Sequence, residues 1–349
     1  MDNLKVIYKM AIASAMTILF IGCKPKYSEI DNNQVISKPY VLYAADSAGA
    51  IYKTNDGFTY DIVFGPDNYP VFTAVTSGNN LLFVKKNVHY IVKPVNGFNN
   101  SNPTLTLPAG PLGFDRSMLI NIPKWNDRVY IGGIGPKGLM RNDSNGVPGW
   151  SSTSWRPVAD TFMANPGLIT SMTFLDEGSL IAYDDALRRF YRMPDPNSQF
   201  EAKRDGNGLP SGRHFFISHI TNTILAADVA DSGKLYYSTN YGQDFTAYTG
   251  LPVDVHITSV DAPFNQTILV GTRSHGIYRL PLGSTAFVPS SLGLPAQSIV
   301  TCVLSKYDYF KNDRSKQYTY AATNKGIYRS EDNGENWVKV YDGNFVTLY

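Results

Sequence analysis

Four arginines in this 349-residue chain have the chemistry to bind an anion. A guanidinium group presents paired N–H donors that match a carboxylate or a phosphate, so arginines gathered on one surface would clamp such a group. The candidates are Arg116, Arg188, Arg213 and Arg273. Arg116 is the first arginine in the sequence, so the residues before it contribute no guanidinium to an anion site.

Hydrolysis of a glycoside would instead require two carboxyl groups that face each other across the bond that breaks. The chain has five glutamates, which are far apart in the sequence: Glu29, Glu177, Glu201, Glu331 and Glu335. None of them falls in a segment that we expect to share a site with the arginines. The sequence therefore predicts no glycosidase carboxylate pair.

Histidine and cysteine spacing predicts neither a metal site nor a disulfide. His214 and His219 lie five apart in a strand-like segment, where an odd spacing points two side chains to opposite faces. His256 and His275 belong to separate segments. Cys302 lies in an apolar segment, and we expect a buried, inert thiol there. No glycine-rich phosphate loop precedes a helix-like segment, so no cofactor is predicted.

The N-terminal residues have the composition of a targeting segment. Lys5 and Lys9 flank the start of an apolar stretch from Met10 to Ile21, which is too short for a conventional membrane-spanning helix. It ends in Phe-Ile-Gly-Cys at Cys23, which resembles the lipobox of bacterial lipoproteins. The resemblance implies cleavage before Cys23, acylation of its thiol and a cell-envelope location, at the outer membrane because Lys24 follows the cysteine. The alternative is a plain secretory signal that happens to end in cysteine.

The overall composition is that of a globular protein, with 43% hydrophobic and 17% charged residues. The formal net charge of +2 is nearly balanced, so there is no electrostatic reason to expect nucleic acid as a partner. The 23 tyrosines and 18 phenylalanines, with 29 glycines and 21 prolines, favour many short strands joined by turns.

A short strand-like segment recurs seven times and determines the fold prediction. Its copies align at Lys53, Lys93, Arg141, Arg192, Tyr237, Arg279 and Arg329. The intervals of 40 to 51 residues leave room for about four strands with their turns, which is the content of one β-propeller blade. Gly-Leu-Pro at Gly208, Gly250 and Gly293 precedes several predicted inner strands and punctuates the passage between blades.

These repeats predict an all-β fold, a seven-bladed β-propeller of four-stranded antiparallel blades. We assign residues 1–22 to a signal peptide, 23–38 to a lipid-anchored tether and 39–349 to the propeller. Blade one lacks an inner strand on its N-terminal side, whereas residues 345–349 have the pattern of a strand beyond the last blade. We therefore expect the C-terminal strand to pair into blade one and to close the ring.

The predicted hairpin between the third and fourth strands of blade seven contains the spacing S-x-D-x-G-x-x-W. It is formed by Ser330, Asp332, Gly334 and Trp337. The Asp332 carboxylate can accept backbone N–H groups within the turn, Gly334 can adopt a positive φ, and Trp337 can cover the apolar side of the hairpin. We therefore predict a structural role for all four residues.

This spacing resembles the Asp-box of bacterial-neuraminidase-type repeat propellers, a superfamily that includes sialidases, sortilin-type receptors and photosystem II assembly factors. Looser copies occur at Ser238–Phe245 and Thr54–Tyr60. A sialidase would need three arginines, a Tyr and Glu pair and an acidic proton donor, with the first arginine near the start of blade one, where this chain has none. We therefore predict a non-catalytic binding or assembly module, with a sialidase-like exo-glycoside hydrolase as the alternative.

Propeller ligands usually bind where the second-to-third-strand loops and the blade-to-blade loops meet on one face. The candidate binding residues on these loops are Asp46, Lys86, Arg116, Asp184, Arg188, Arg213, Asp228, Arg273 and His275. The expected partner is a glycan, a peptide or an envelope protein, bound by a monomeric body that reaches the membrane through its lipid anchor.

Overall fold

The computed structural model describes most of the chain after residue 41. The described residues are 42–55, 57–77, 80–85, 90–94, 104–105, 119–125, 128–132, 139–142, 155–158, 169–201, 204–230, 232–263, 267–307 and 317–349. The predicted signal peptide, Cys23, the tether, Lys86 and Arg116 lie outside these residues. Within the described part, no helix is both long and apolar enough to cross a membrane.

The described residues form short strands connected by turns. In chain order the strands are β1 (Leu42–Asp46), β2 (Ile51–Thr54), β3 (Asp61–Phe64), β4 (Val71–Ser77), β5 (Asn80–Lys85), β6 (Tyr90–Pro94), β7 (Thr104–Leu105), β8 (Leu119–Ile122), β9 (Arg128–Gly132), β10 (Leu139–Asn142), β11 (Trp155–Pro157), β12 (Ile169–Phe174), β13 (Leu180–Asp184), β14 (Arg189–Met193), β15 (Phe215–Ile220), β16 (Thr223–Asp228), β17 (Leu235–Ser238), β18 (Thr246–Ala247), β19 (Ile257–Asp261), β20 (Thr267–Thr272), β21 (Ile277–Pro281), β22 (Val288–Pro289), β23 (Val300–Tyr307), β24 (Gln317–Thr323), β25 (Gly326–Ser330), β26 (Val338–Tyr341) and β27 (Phe345–Leu348). A 3-10 turn covers Pro123–Trp125.

In the described residues the strands group into seven antiparallel sheets, six with four strands and one with three. The first sheet has the order β27-β1-β2-β3, and the others follow the chain as β4 to β7, β8 to β11, β12 to β14, β15 to β18, β19 to β22 and β23 to β26. The all-β prediction is confirmed. The seven recurring segments are the third strands β2, β6, β10, β14, β17, β21 and β25.

The C-terminal strand β27 lies beside β1. Ala44 is opposite Leu348, and the backbones of Tyr43 and Tyr349 exchange two hydrogen bonds, of 3.2 and 2.9 Å. The side chains of Phe345 and Leu348 are buried. The end of the chain therefore supplies a strand to the first sheet.

The first strands of successive sheets contact one another around a central cavity. The contacting pairs are β4 and β8, β8 and β12, β12 and β15, β15 and β19, β19 and β23, β23 and β27, and β27 and β4. Hydroxyl side chains join neighbouring first strands. Ser171 Oγ accepts from the N–H of Ile217 at 2.8 Å, and Thr301 Oγ1 donates to the carbonyl of Phe345 at 2.9 Å. These bonds fix the position of the first strands that they join relative to each other along the strand direction.

The apolar core lies between neighbouring sheets. A representative cluster joins the fourth and fifth sheets through Tyr183, Phe190, Phe215, Tyr236 and Phe245, all of them buried. The second strands β13 and β20 are buried along their whole length. Because both faces of a sheet are covered, its second strand has a continuous apolar sequence instead of an alternating one.

The recurring Gly-Leu-Pro motif marks a close backbone contact between sheets. Gly208 and Gly293 have φ of 86° and 94°, in the left-handed region that favours glycine. A β-carbon at Gly208 would collide with the carbonyl oxygen of Phe245, and one at Gly293 with that of Trp337. The motif therefore packs closely against the residue that precedes the fourth strand of the following sheet.

Each sheet presents two edges. We call the edge with the second-to-third-strand turns and the sheet-to-sheet connections the mouth edge. The opposite edge, with the first-to-second-strand and third-to-fourth-strand turns, is the lower edge. The predicted binding residues that the structure describes belong to the mouth edge, and the hairpin of Ser330 to Trp337 belongs to the lower edge.

Candidate functional site

Three predicted binding residues, Asp46, Asp184 and Asp228, occupy equivalent positions at the ends of second strands. Asp184 Oδ1 accepts the N–H of Leu187 at 2.9 Å, and Asp228 Oδ1 accepts that of Ala230 at 2.9 Å. Asp184 and Asp228 are buried. Their carboxylates bind the backbone of their own turns, which gives these predicted binding residues a structural role.

Arg188 also has a local role. Its backbone adopts a φ of 57°, and its Nη2 donates to the carbonyls of Leu209 and Pro210 at 3.1 and 2.6 Å. The guanidinium therefore holds the connection between the fourth and fifth sheets. Of the four predicted anion-binding arginines, Arg213 and Arg273 are the two described ones that remain directed at a common space.

Arg213 and Arg273 line one cleft of about 740 Å³ on the mouth edge, between the fifth and sixth sheets. The remaining lining residues are Val229, Ala230, Ser232, Val253, Asp254 and His256. Arg273 is exposed and forms no side-chain ion pair within the described residues. Its backbone N–H donates to the carbonyl of His256 at 3.0 Å, which fixes the turn that carries it.

Two described carboxylates around this cleft lie near basic side chains. Asp228 Oδ2 lies 3.9 Å from Arg213 Nη1, and Asp254 Oδ2 lies 3.5 Å from His275 Nε2. Arg213 Nη2 lies 3.3 Å from Ser232 Oγ. Arg273 thus has no ion-pair partner among the described residues, and its guanidinium is available to a carboxylate or another small anion.

A Tyr and Glu pair exists on the lower edge, which the sequence analysis missed because its members are 64 residues apart. Tyr241 donates its hydroxyl to Glu177 Oε2 at 3.0 Å, and Arg192 Nη2 lies 3.0 Å from Glu177 Oε1. Burial acts to raise the pKa of Glu177, but hydrogen bonds from Ser179, Arg192 and Tyr241 outweigh it and lower the pKa. The same bond to Glu177 raises the pKa of Tyr241.

This pair does not form a sialidase-type nucleophile with the arginines of the mouth. Tyr241 and Glu177 lie between the fourth and fifth sheets on the lower edge, whereas Arg213 and Arg273 line the cleft on the mouth edge. The Arg192 guanidinium carbon is also 4.2 Å from the centre of the Tyr241 ring. The group therefore fastens the fourth sheet to the fifth at the edge opposite the cleft.

The central cavity, also about 740 Å³, is lined by residues of the first strands of all seven sheets. His219 Nδ1 lies 2.7 Å from Thr173 Oγ1, and burial lowers the pKa of His219. Cys302 borders this cavity and is half-buried, and burial raises its pKa to about 11, which keeps the thiol protonated. No group of three or more His, Cys, Asp or Glu able to hold a metal ion occurs among the described residues.

The hairpin of Ser330 to Trp337 is held by hydrogen bonds within the turn. Ser330 Oγ accepts the N–H of Gly334 at 2.8 Å, and Asp332 Oδ1 accepts two N–H groups later in the turn at 3.0 and 2.9 Å. Trp337 is buried and donates its ring N–H to the carbonyl of Ser290 at 2.8 Å. The turn therefore also joins the seventh sheet to the sixth.

The arrangement of antiparallel four-stranded sheets is that of a β-propeller, and solved structures with this fold are similar to the chain. A YCF48 structure with a bound D1 peptide has a TM-score of 0.53 and 12% identity, covering 84% of this chain and 88% of that one. Virginiamycin B lyase from Staphylococcus aureus has a TM-score of 0.55 and 11% identity, covering 75% and 82%.

A third similar structure is the extracellular domain of the putative hybrid two-component system BT4673 from B. thetaiotaomicron. Its TM-score is 0.57 with 15% identity, covering 84% of this chain and 38% of that one. No protein-family model and no curated protein matches the chain. At these identities the likeness concerns the fold, which peptide-binding, sensory and enzymatic proteins share.

Proposed function

We propose that this chain is a lipid-anchored envelope protein whose seven-bladed propeller acts as a non-catalytic binding or assembly module. Its mouth edge binds a carboxylate-bearing partner, an acidic peptide, an envelope protein or an acidic glycan, in the cleft of Arg213 and Arg273. The body works as a monomer, needs no cofactor and does not bind nucleic acid. The anchor is Cys23, and the protein resides at the outer membrane.

The cleft is the observation that carries this proposal. Arg273 is an exposed guanidinium with no ion-pair partner in the described residues, and Arg213 faces the same space of about 740 Å³. Val229 and Val253 add apolar surface beside the two guanidinium groups. A carboxylate beside an apolar group fits both features, because charge-assisted bonds to a guanidinium are directional.

The seven-bladed closed ring is part of the proposal. It is supported by the pairing of β27 with β1 and by the unbroken cycle of contacts between successive first strands. The turn of Ser330, Asp332, Gly334 and Trp337 is proposed as an Asp-box, and its bonding is matched in the fifth sheet by Ser238 Oγ, which accepts the N–H of Gly242 at 3.0 Å.

The test uses matched ligand pairs, in which acidic peptides and uronic or sialic acid glycans are compared with their amidated or neutral twins. We expect the carboxylate forms to bind and Arg273→Ala to weaken binding about tenfold or more, the loss of a charge-assisted bond of about 1.5–3 kcal/mol. Arg273→Lys should bind weakly, because an ammonium lacks the paired donors. Lys234→Ala, which removes an exposed cation from the same edge, is the control.

Equal binding of the carboxylate and amide forms would contradict the proposal. The hydrolase alternative has its own readout, because the purified protein would release sugar from aryl sialosides or other aryl glycosides. We expect bound ligands to be recovered unaltered. Hydrolysis that disappears in Arg213→Ala or Arg273→Ala would replace the binding module by the sialidase-like alternative.

A further inference from the structure

Several large apolar side chains are exposed together on the lower edge. They are Phe58, Ile62, Leu282, Val288 and Val338. All of them belong to the third-to-fourth-strand hairpins of the first, sixth and seventh sheets. Single exposed apolar residues are ordinary on protein surfaces, but a group on adjacent elements marks an interaction surface.

Two arginines connect the three hairpins into one surface. The Arg329 guanidinium carbon is 4.1 Å from the centre of the Phe58 ring, and Arg329 is the cross-strand partner of Val338. Arg279 is the cross-strand partner of Val288, and its guanidinium forms a 2.8 Å ion pair with the hairpin of the seventh sheet. The exposed apolar groups of the three sheets are therefore neighbours.

Three described cations on this surface have acidic partners. Arg329 Nη2 lies 2.8 Å from Glu331 Oε1, and Lys339 Nζ forms an ion pair with Asp342. With Arg279, which pairs with Glu335, they form no unpaired cationic cluster of the kind that attracts anionic headgroups. What this surface offers a partner is apolar area.

The chain enters the first sheet at the same edge. Leu42, the first residue of β1, is the cross-strand partner of Thr54, which begins the turn that carries Phe58. Eighteen residues separate Cys23 from Leu42. Eighteen residues span at most about 60 Å even when fully extended, which limits the distance between the anchor and this edge.

We propose that the lower edge of the first, sixth and seventh sheets docks on the lipid bilayer that holds the anchor. This inference rests on the proposed acylation of Cys23, which keeps the edge within reach of the bilayer. The exposed side chains then insert at the headgroup boundary, where burial of apolar area stabilises the contact. The mouth edge, with Arg213 and Arg273, faces away from the membrane toward a soluble or envelope partner.

The experiment uses the full-length acylated protein in phosphatidylcholine vesicles that carry nitroxide-labelled lipid. An environment-sensitive fluorophore is attached at Val338→Cys on the lower edge, and at Val253→Cys on the mouth edge as the control, both in a Cys302→Ser background. Val338 is 67% and Val253 87% exposed, so neither label disturbs the core. We expect blue-shifted, quenched emission at position 338 and unchanged emission at position 253.

Flotation of the same samples tests the anchor at Cys23 separately from docking of the lower edge. Floating protein with an unquenched label at position 338, or with equal quenching at both positions, refutes docking and leaves the anchor intact. Protein that floats as well with Cys23→Ala refutes the anchor, and equal emission at positions 338 and 253 in that variant refutes docking. Because the surface charges are paired, quenching should not require anionic lipid. A strict requirement for anionic lipid, reversed by salt, would overturn the apolar contact.

The same protein with Phe58→Ser and Ile62→Ser provides a second measurement. These exposed positions lie in the first sheet, whereas the label lies in the seventh. If the hairpins form one docking surface, the two substitutions reduce the quenching at position 338 without changing flotation. Unchanged quenching would show that the seventh sheet contacts lipid without the first sheet, which contradicts a docking surface shared by the three sheets.

Discussion

Asp332 shows how one carboxylate stabilises a turn. Besides two backbone N–H groups, it accepts the side-chain N–H of Asn336 at 2.6 Å. Burial acts to raise its pKa, but the hydrogen bonds from Asn336, Ser330 and Glu335 outweigh burial and lower the pKa. A carboxyl group with a lowered pKa stabilises the fold above its unfolded-state pKa, and this stabilisation is lost as the pH falls through the folded-state value.

We therefore expect Asp332→Ala to reduce the free energy of unfolding by about 1–3 kcal/mol at neutral pH, because the turn loses its hydrogen bonds to a charged acceptor. The difference from the unsubstituted protein should shrink as the pH falls through the folded-state pKa of Asp332, which lies below the ordinary aspartate value of about 3.9. Thermal melts at pH 7 and pH 3 measure it. Ligand affinity in the Arg273 cleft should not change, and a loss of affinity at equal stability would assign the turn to the site.

At this scale the sequence predicted part of the site. The structural role of the Ser330 to Trp337 turn follows from the fixed preferences of serine, aspartate, glycine and tryptophan in a hairpin. The roles of Asp184 and Asp228 were not predicted, because the same residue type serves as a ligand-binding group or as a turn acceptor. A signal was present, since Asp46, Asp184 and Asp228 stand at the same point of three repeats, where a shared turn requires the same acceptor.

Among the elements, the third strands contain the short segment that recurs in the sequence, with a basic residue at the same position in most copies. Their recurrent basic residue contacts the hairpin of the following sheet. Arg141 Nη1 lies 3.4 Å from the carbonyl of Pro196, Arg279 pairs with Glu335, and Arg329 stacks on Phe58. Periodicity revealed the position but not its contact, because the partner belongs to a different repeat and has a different residue type each time.

Arg329 is the arginine of this series that joins the seventh sheet to the first. It lies between the rings of Phe58 and Tyr318, at 4.1 and 4.4 Å, and its side chain is mostly buried. We expect Arg329→Ala to reduce the free energy of unfolding by about 1–2 kcal/mol through the loss of cation–π contacts. Arg329→Lys should retain part of this stability, and Arg273→Ala, which removes an exposed arginine, should retain all of it. Urea denaturation of the three variants gives the comparison, and equal midpoints would exclude the contact as a stabilising element.

For the whole molecule, the pairing of the C-terminal strand β27 with β1 of the first sheet is the most important contact. Residues 345–349 cannot be assigned to the first sheet from local sequence alone, because they follow the seventh. Their pairing was predictable only from the count of repeats and from the missing strand before residue 39. Without this pairing, β1 would present unpaired backbone groups to other chains, which favours aggregation.

Deletion of residues 345–349 should therefore affect the molecule as a whole. It removes two buried side chains, Phe345 and Leu348, each of which contributes about 1.5–3 kcal/mol by burial, and it leaves Tyr43 without its backbone partner. We expect a lower melting temperature and concentration-dependent association through the exposed edge of β1. A synthetic peptide with the sequence of residues 344–349, added in excess, should occupy that edge and restore the monomer, whereas a peptide with proline in place of Val346 and Leu348 should not. A truncated protein that melts like the full chain and remains monomeric would show that the pairing of β27 with β1 does not hold the sheets together.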